Sequence, residues 1–341
     1  MKNKLLLTTA IAGSLVFSGS VMAETKITGG MDISLAGRSD DSAGSPGSSS
    51  GLGSETQLNI AKTGDLDNGM SYAAGFSMES DSGVDAHENM YIDINLAEGT
   101  TFSVGSDHFP ALDGTITPLV SIAADTAAGG ATGANAEAIT ALAYYNGSRI
   151  DAVESMGAGV IQQLGGIGSV RAYYVPNLGN FGNVTGNDAV DHGENNNSAL
   201  HYAFSGNLGV EGLNVLAGVE KSDKALSTTT QDRKGKNLGI SYNFGQVAVG
   251  VSKVDNELST GTDVESKEAG ITFAATDKLT LGISRFDTEI STLANDEEIT
   301  MVQAGYNLGG ISASVSYAQI DNTAGGATDD DTFNLRIGTR F

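Results

Sequence analysis

The sequence holds no cysteine and no tryptophan, only 4 prolines, and few charges: Asp, Glu, Lys and Arg make up 17% of its 341 residues. Each shortage excludes something. Without cysteine there is no disulfide framework, thiolate zinc site or thiol nucleophile. The scarcity of proline, with no glycine triplet period, removes collagen-like architectures. Ordinary soluble chains carry roughly 25% charged residues, so this is not the charge-rich composition of an acidic coil. The charge that exists is lopsided, with 41 acidic against 18 basic residues and a net of −23, which argues against nucleic acid as a partner. Beyond the first 23 residues, no apolar run approaches the ~20 that a membrane-spanning helix needs. In abundance there is glycine, 46 residues of it.

The first segment reads as an address. Met1–Lys4 is basic, Leu5–Phe17 mainly apolar, and Val21-Met22-Ala23 offers a small-residue cleavage site before Glu24. That is the layout of a secretory signal peptide, with residues 24–341 as the mature domain. Of the 18 basic residues, Lys2 and Lys4 fall in this leader, so 16 remain against 41 acids, a net of −25. A chain exported without a spanning helix is either released or a β-barrel, since only helices and closed barrels satisfy their backbone groups in lipid.

The mature chain reads as strands. Leu238, Ile240, Tyr242 and Phe244 alternate with Asn237, Gly239, Ser241 and Asn243, and after Gly245-Gln246 the alternation resumes at Val247, Val249 and Val251. The same pattern carries Leu279–Ile283, Val302–Leu308, Ile311–Tyr317 and Phe333–Phe341. Period-two alternation gives each strand one apolar and one polar face. The polar face is Gly, Ser, Asn and Thr, with mid-strand positions nearly free of charge; it suits a water-filled lumen, with the bulky face against lipid. Tyr242, Phe244, Tyr306, Tyr317 and Phe341 lie near strand ends, where interfacial girdles form. Tight turns alternate with longer polar stretches at Ser222–Lys236, Asp255–Ser266, Glu289–Glu297 and Asp321–Asp330.

In the N-terminal half, Ile27–Leu35 makes a first strand, and Asp67-Asn68-Gly69 between alternating runs is a hairpin signal. Gly105–Glu137 runs without strong strand pattern, far beyond the usual loop of about 4–6 residues. Ile139–Tyr145 and Val170–Tyr174 are strand candidates, whereas Asn146–Gly166 reads as irregular. The expectation is an all-β, antiparallel transmembrane barrel of about sixteen strands.

Taken together, the leader, the stretch Glu55–Ser80, the long segment opening at Gly105-Ser106-Asp107 and the terminal strand ending at Phe341 resemble the general diffusion porins of Gram-negative outer membranes. The resemblance implies an outer-membrane homotrimer passing small hydrophilic solutes, its third loop folded into the lumen, with acidic loop residues facing bases on the wall. It also makes the strand ending at Phe341 the signal read by the barrel-assembly machinery. On this chain the third loop is Gly105–Glu137, and Asp107, Asp113, Asp125 and Glu137 are the acidic candidates, with ordinary solvated loop acids as the other reading. Arg336 and Arg171 fall on the small polar face and are the basic candidates, with Arg38 and Lys62 at strand ends as further ones. No dense arginine cluster is visible. Acids along the passage predict cation preference.

No catalytic constellation stands out. Of His87, His108, His192 and His201, only His201 lies in a clear strand, facing the lumen, and it reads as a satisfied side chain rather than a base. No cofactor motif is complete. Acid runs at Asp40-Asp41, Asp296-Glu297-Glu298 and Asp329-Asp330-Asp331 are candidates for loop-bound Ca²⁺ or Mg²⁺, bridging to lipopolysaccharide phosphates, or for plain solvated loops. A substrate-selective channel and a secreted β-rich adhesin are the alternatives to a passive pore. An aromatic track would mark the former, but the lumen-facing positions offer only Tyr91 and Tyr173.

Overall fold

The computed structural model describes residues 24–40, 47–80, 89–97, 99–106, 156–176, 198–222, 233–258, 263–323 and 326–341. They form sixteen strands: β1 Glu24–Asp40, β2 Gly47–Asp65, β3 Ser71–Ser80, β4 Met90–Ala97, β5 Thr100–Ser106, β6 Gly157–Gln163, β7 Gly168–Val175 and β8 Ala199–Gly206. They continue as β9 Leu213–Ser222, β10 Arg233–Asn243, β11 Val247–Leu258, β12 Asp263–Ala274, β13 Leu279–Ile290, β14 Glu297–Asn307, β15 Ser312–Asp321 and β16 Asp330–Arg340. Each strand pairs antiparallel with its sequence neighbours, and β1 pairs with β16 from Gly30–Arg340 to Asp40–Asp330, closing the ring. The closure is sealed by reciprocal 2.9 Å backbone bonds between Gly29 and Phe341. No edge remains to recruit another chain, and a ring this wide leaves room for an aqueous channel.

The alternation seen in the sequence sets which face is outside. Leu281, Ile283, Ile271, Phe273, Val251, Ile240 and Ile33 are all exposed on the outer wall, while Ser284, Ser252, Ser266, Ser34 and Asn237 are buried on the inner one. Among the described residues, one rim carries short turns. Asn207-Leu208-Gly209, Asn243-Phe244-Gly245 and Asn307-Leu308-Gly309 share one construction, in which the Asn Oδ1 accepts the Gly N–H at 2.7–2.9 Å. The three glycines have φ of 77°, 101° and 103°, a conformation that disfavours any residue with a Cβ. The Asn68-Gly69 hairpin forms as expected, with φ of 81° at Gly69 and Met70 N–H donating to Asn68 Oδ1. Tyr242, Phe244, Tyr306 and Phe341 gather toward this rim; the Tyr242 and Phe244 rings lie 4.6 Å apart.

Two expectations need correction. Gly157–Gln163, read as irregular, is strand β6, paired with β5 and β7. Much of the polar sequence read as long loops is also strand. β10 begins at Arg233, β11 runs to Leu258, β12 starts at Asp263 and β13 reaches Ile290. The cause is an exchange of face chemistry without a change of parity. On β13 the outer positions go from Leu279, Leu281 and Ile283 to Arg285, Asp287 and Glu289, as the inner ones go from Thr280, Gly282 and Ser284 to Phe286, Thr288 and Ile290. Beyond this line the wall is charged outside and apolar inside, and Val254, Phe286, Ile299, Met301, Ala318 and Ile320 form one buried cluster. Charges on a lipid face cost about 2–4 kcal/mol at the midplane, so this charged collar stands above the hydrocarbon. The expected strand at Ile139–Tyr145 lies outside the described residues.

Candidate pore lining

Mid-strand charge on inward positions defines the site. In β1 and β16, Asp32 is buried between two arginines, its Oδ2 accepting from Arg336 at 2.6 Å and from Arg340 at 2.7 Å. Two glycines make room for the triad. A Cβ at Gly338 would fall onto the Asp32 carboxylate, and one at Gly30 onto the Arg340 side chain. Arg336 is largely covered, whereas Arg340 is 61% exposed.

Eight strands around the ring, on the opposite wall, lies a second cluster in β7, β8 and β9. His201 is fully buried, its Nδ1 2.9 Å from Glu220 Oε2 and its Nε2 3.5 Å from Arg171 Nε. This arrangement puts the imidazole proton on Nδ1, donated to Glu220, and leaves Nε2 to accept from Arg171. Tyr173, on the same face of β7, donates its hydroxyl to Gly105 O at 2.5 Å, tying β7 to the end of β5. Further round the wall, Ser252 donates to Glu268 at 3.1 Å, Ser266 and Thr288 share a 3.0 Å bond, and Gln303 donates to Ser284.

Among the described residues, inward-facing acids outnumber inward-facing bases. Among residues whose side chains are described, Asp32, Asp65, Asp93, Glu220, Glu268, Glu297 and Asp330 share the lumen parity with only Lys26, Arg171, Arg336 and Arg340. The expectation of nearly uncharged mid-strand positions is therefore corrected. The signal was available in the sequence: Asp32 between Met31 and Ile33, and Asp93 between Ile92 and Ile94, sit in the same context that singled out Arg336.

Arg336 and Arg171 face the lumen, as their parity predicts, but both are engaged within the wall. Lys62 does not: it pairs with Ala74 and Thr25 on the outer face, two residues along from outward-facing Ile60, because even positions of β2 point outward. Arg38 lies in β1 opposite Thr332 and Ser49, and its side chain is outside the described set, as are Asp107, Asp113, Asp125 and Glu137 altogether. Tyr91 and Tyr173 face inward. The run Asp329-Asp330-Asp331 does not converge on a cation. Asp329 accepts Asn322 N–H, Asp330 accepts Thr323 Oγ1, and Asp331 takes the Tyr317 hydroxyl on the outer face. Among the described residues no three acids or histidines come together as a metal site.

A closed sixteen-stranded barrel, apolar outside over its lower wall and polar within, is the architecture of an outer-membrane channel. The family model of the Gram-negative porins matches residues 8–324, and the chain belongs to that family. Among solved structures, an anion-selective porin from Comamonas acidovorans superposes with a TM-score of 0.70 at 14% identity, over 94% of this chain and 100% of that one. A triple mutant of the Rhodopseudomonas blastica porin gives 0.62 at 18% identity, over 93% and 100%. OmpT, an outer membrane protein of Vibrio cholerae lacking its loop L8, gives 0.63 at 16%, over 94% and 99%. No curated protein matches the sequence.

Proposed function

We propose that the protein is a general diffusion porin, a passive and cation-preferring pore for small hydrophilic solutes rather than an enzyme. The observation that carries this is the inner wall: small polar side chains along a continuous closed sheet, with carboxylates in excess over cations. Rings of carboxylate favour cations, and a wide wet lumen passes solutes by size. Both ring nitrogens of His201 are engaged within the wall, by Glu220 and Arg171, which supports reading it as part of the lining rather than as a base.

Several finer features belong to the same reading. The signal peptide is cleaved after Ala23, and the barrel assembles as a homotrimer through machinery that reads the strand ending at Phe341. Lipopolysaccharide surrounds it, with no cofactor required beyond loop-bound Ca²⁺ or Mg²⁺. The third loop, Gly105–Glu137, narrows the passage, and Asp107, Asp113, Asp125 and Glu137 form its acidic side.

Swelling of proteoliposomes in isosmotic sugars tests the pore directly. The expected result is a rate that falls smoothly with solute size and is blind to sugar stereochemistry. Selective uptake of one sugar, saturating with concentration, would instead establish a substrate-selective channel.

A further inference from the structure

We infer that Asp32 is a selectivity-determining residue, one that masks two lumen arginines and so sets how much positive charge the passage presents. The inference rests on the pore reading but not on the sign of its ion preference. Arg336 and Arg340 are neighbours on the inner face of β16, close to the tight-turn rim, and together they bring two positive charges to one stretch of wall. Both guanidinium groups donate to a single oxygen, Asp32 Oδ2, so the triad carries a net charge of +1. The carboxylate is itself buried, and it fits because Gly338 leaves open the space that any side chain would fill. Arg340, 61% exposed, is the arm of the triad that solutes meet. The sheet therefore holds one buried carboxylate where its loss would leave two like charges side by side, one of them, Arg340, facing water.

The consequence is directional. Asp32→Asn keeps the shape and removes one negative charge, so the triad becomes +2 and draws anions. Arg340→Gln removes one positive charge, so the triad becomes neutral and favours cations. One unit charge about 8 Å from a passing ion changes its local concentration roughly twofold in water, and salt screens it beyond that range.

The experiment is the reversal potential of folded, detergent-extracted protein in planar bilayers under a KCl gradient. The expected result is an anion-to-cation permeability ratio raised by roughly twofold in Asp32→Asn, lowered by a similar factor in Arg340→Gln, and near wild type in the double variant. Resistance to denaturation in SDS before boiling shows which variants are folded. Should Asp32→Asn fail that check, Arg340→Gln alone decides. Folded variants with the wild-type reversal potential would overturn the inference while leaving the pore intact. Absence of current from the wild type would overturn the pore reading itself.

Discussion

At the scale of single residues, the inner wall depends on a few buried polar contacts. Tyr173 shows this best: its ring is buried, and its hydroxyl donates to the carbonyl of Gly105 at the end of β5. Tyr173→Phe leaves the packing intact and strands that acceptor. The expected loss is about 1 kcal/mol, read as a lower urea midpoint for unfolding from detergent. An unchanged midpoint would mean that water replaces the bond. Gly338 makes the complementary case, because a methyl group there meets the Asp32 carboxylate. Gly338→Ala should cost about 1–3 kcal/mol by overpacking in the same assay, whereas Gly310→Ala, in a turn with open space around it, should cost far less. Equal losses at the two sites would remove the triad's need for that glycine.

At the scale of elements, the turn rim and the collar differ in how legible they were. The turns were legible because their chemistry is local: Asn68-Gly69, Gly245 and Gly309 each announce a reversal through a glycine at positive φ. Gly245→Val is expected to cost about 1–2 kcal/mol, since its φ of 101° forces a branched side chain into strain, and refolding yield in detergent is the measurement. The collar is harder to read, because its polarity imitates a loop. Lys253, Asp255, Glu265 and Lys267 are strand residues whose polar side chains point outward while Val254, Ser266 and Glu268 point in. Only the inner-face apolar residues reveal this, and in the sequence they are thinly spread.

The collar also carries a pH signature. Lys253 and Lys267 donate to Glu265 at 2.7 and 2.6 Å and hold its carboxyl far below the usual range, at about 2. A carboxyl with a depressed folded value contributes its stabilisation fully above its ordinary pKa of 4.5, progressively less as pH falls, and none once pH passes about 2. Lys236, held up by Glu257, runs the other way, contributing below its ordinary value and losing that contribution only in strong base. Hydrogen exchange, corrected for its intrinsic pH dependence, should show Val254–Leu258 and Asp263–Lys267 losing protection between pH 6 and pH 2.5 while Leu279–Ser284 does not. Uniform protection across both segments would show that the charged ladder contributes nothing to order there, as is common for exposed pairs.

At the scale of the whole molecule, closure of the sheet decides what the parts can do. The barrel class, its approximate strand number and its outer face were readable because one rule, alternation, applies to nearly every strand. The lining was only partly readable. Parity placed Arg171 and Arg336 correctly inside, but which charges neutralise which depends on partners three hundred residues apart, as with Asp32 and Arg336. Lys62 failed for a related reason, since a strand end does not reveal its parity until the register is known.

On this reading the enclosed space is a continuous water-filled passage. Single-channel conductance in a planar bilayer tests it most directly, using the full-length folded protein over a wide range of KCl concentration. Openings should be stepwise, three to an insertion event for a trimer, with conductance rising nearly in proportion to bulk salt. Folded protein that inserts without current, or conductance that saturates at low salt, would contradict this reading.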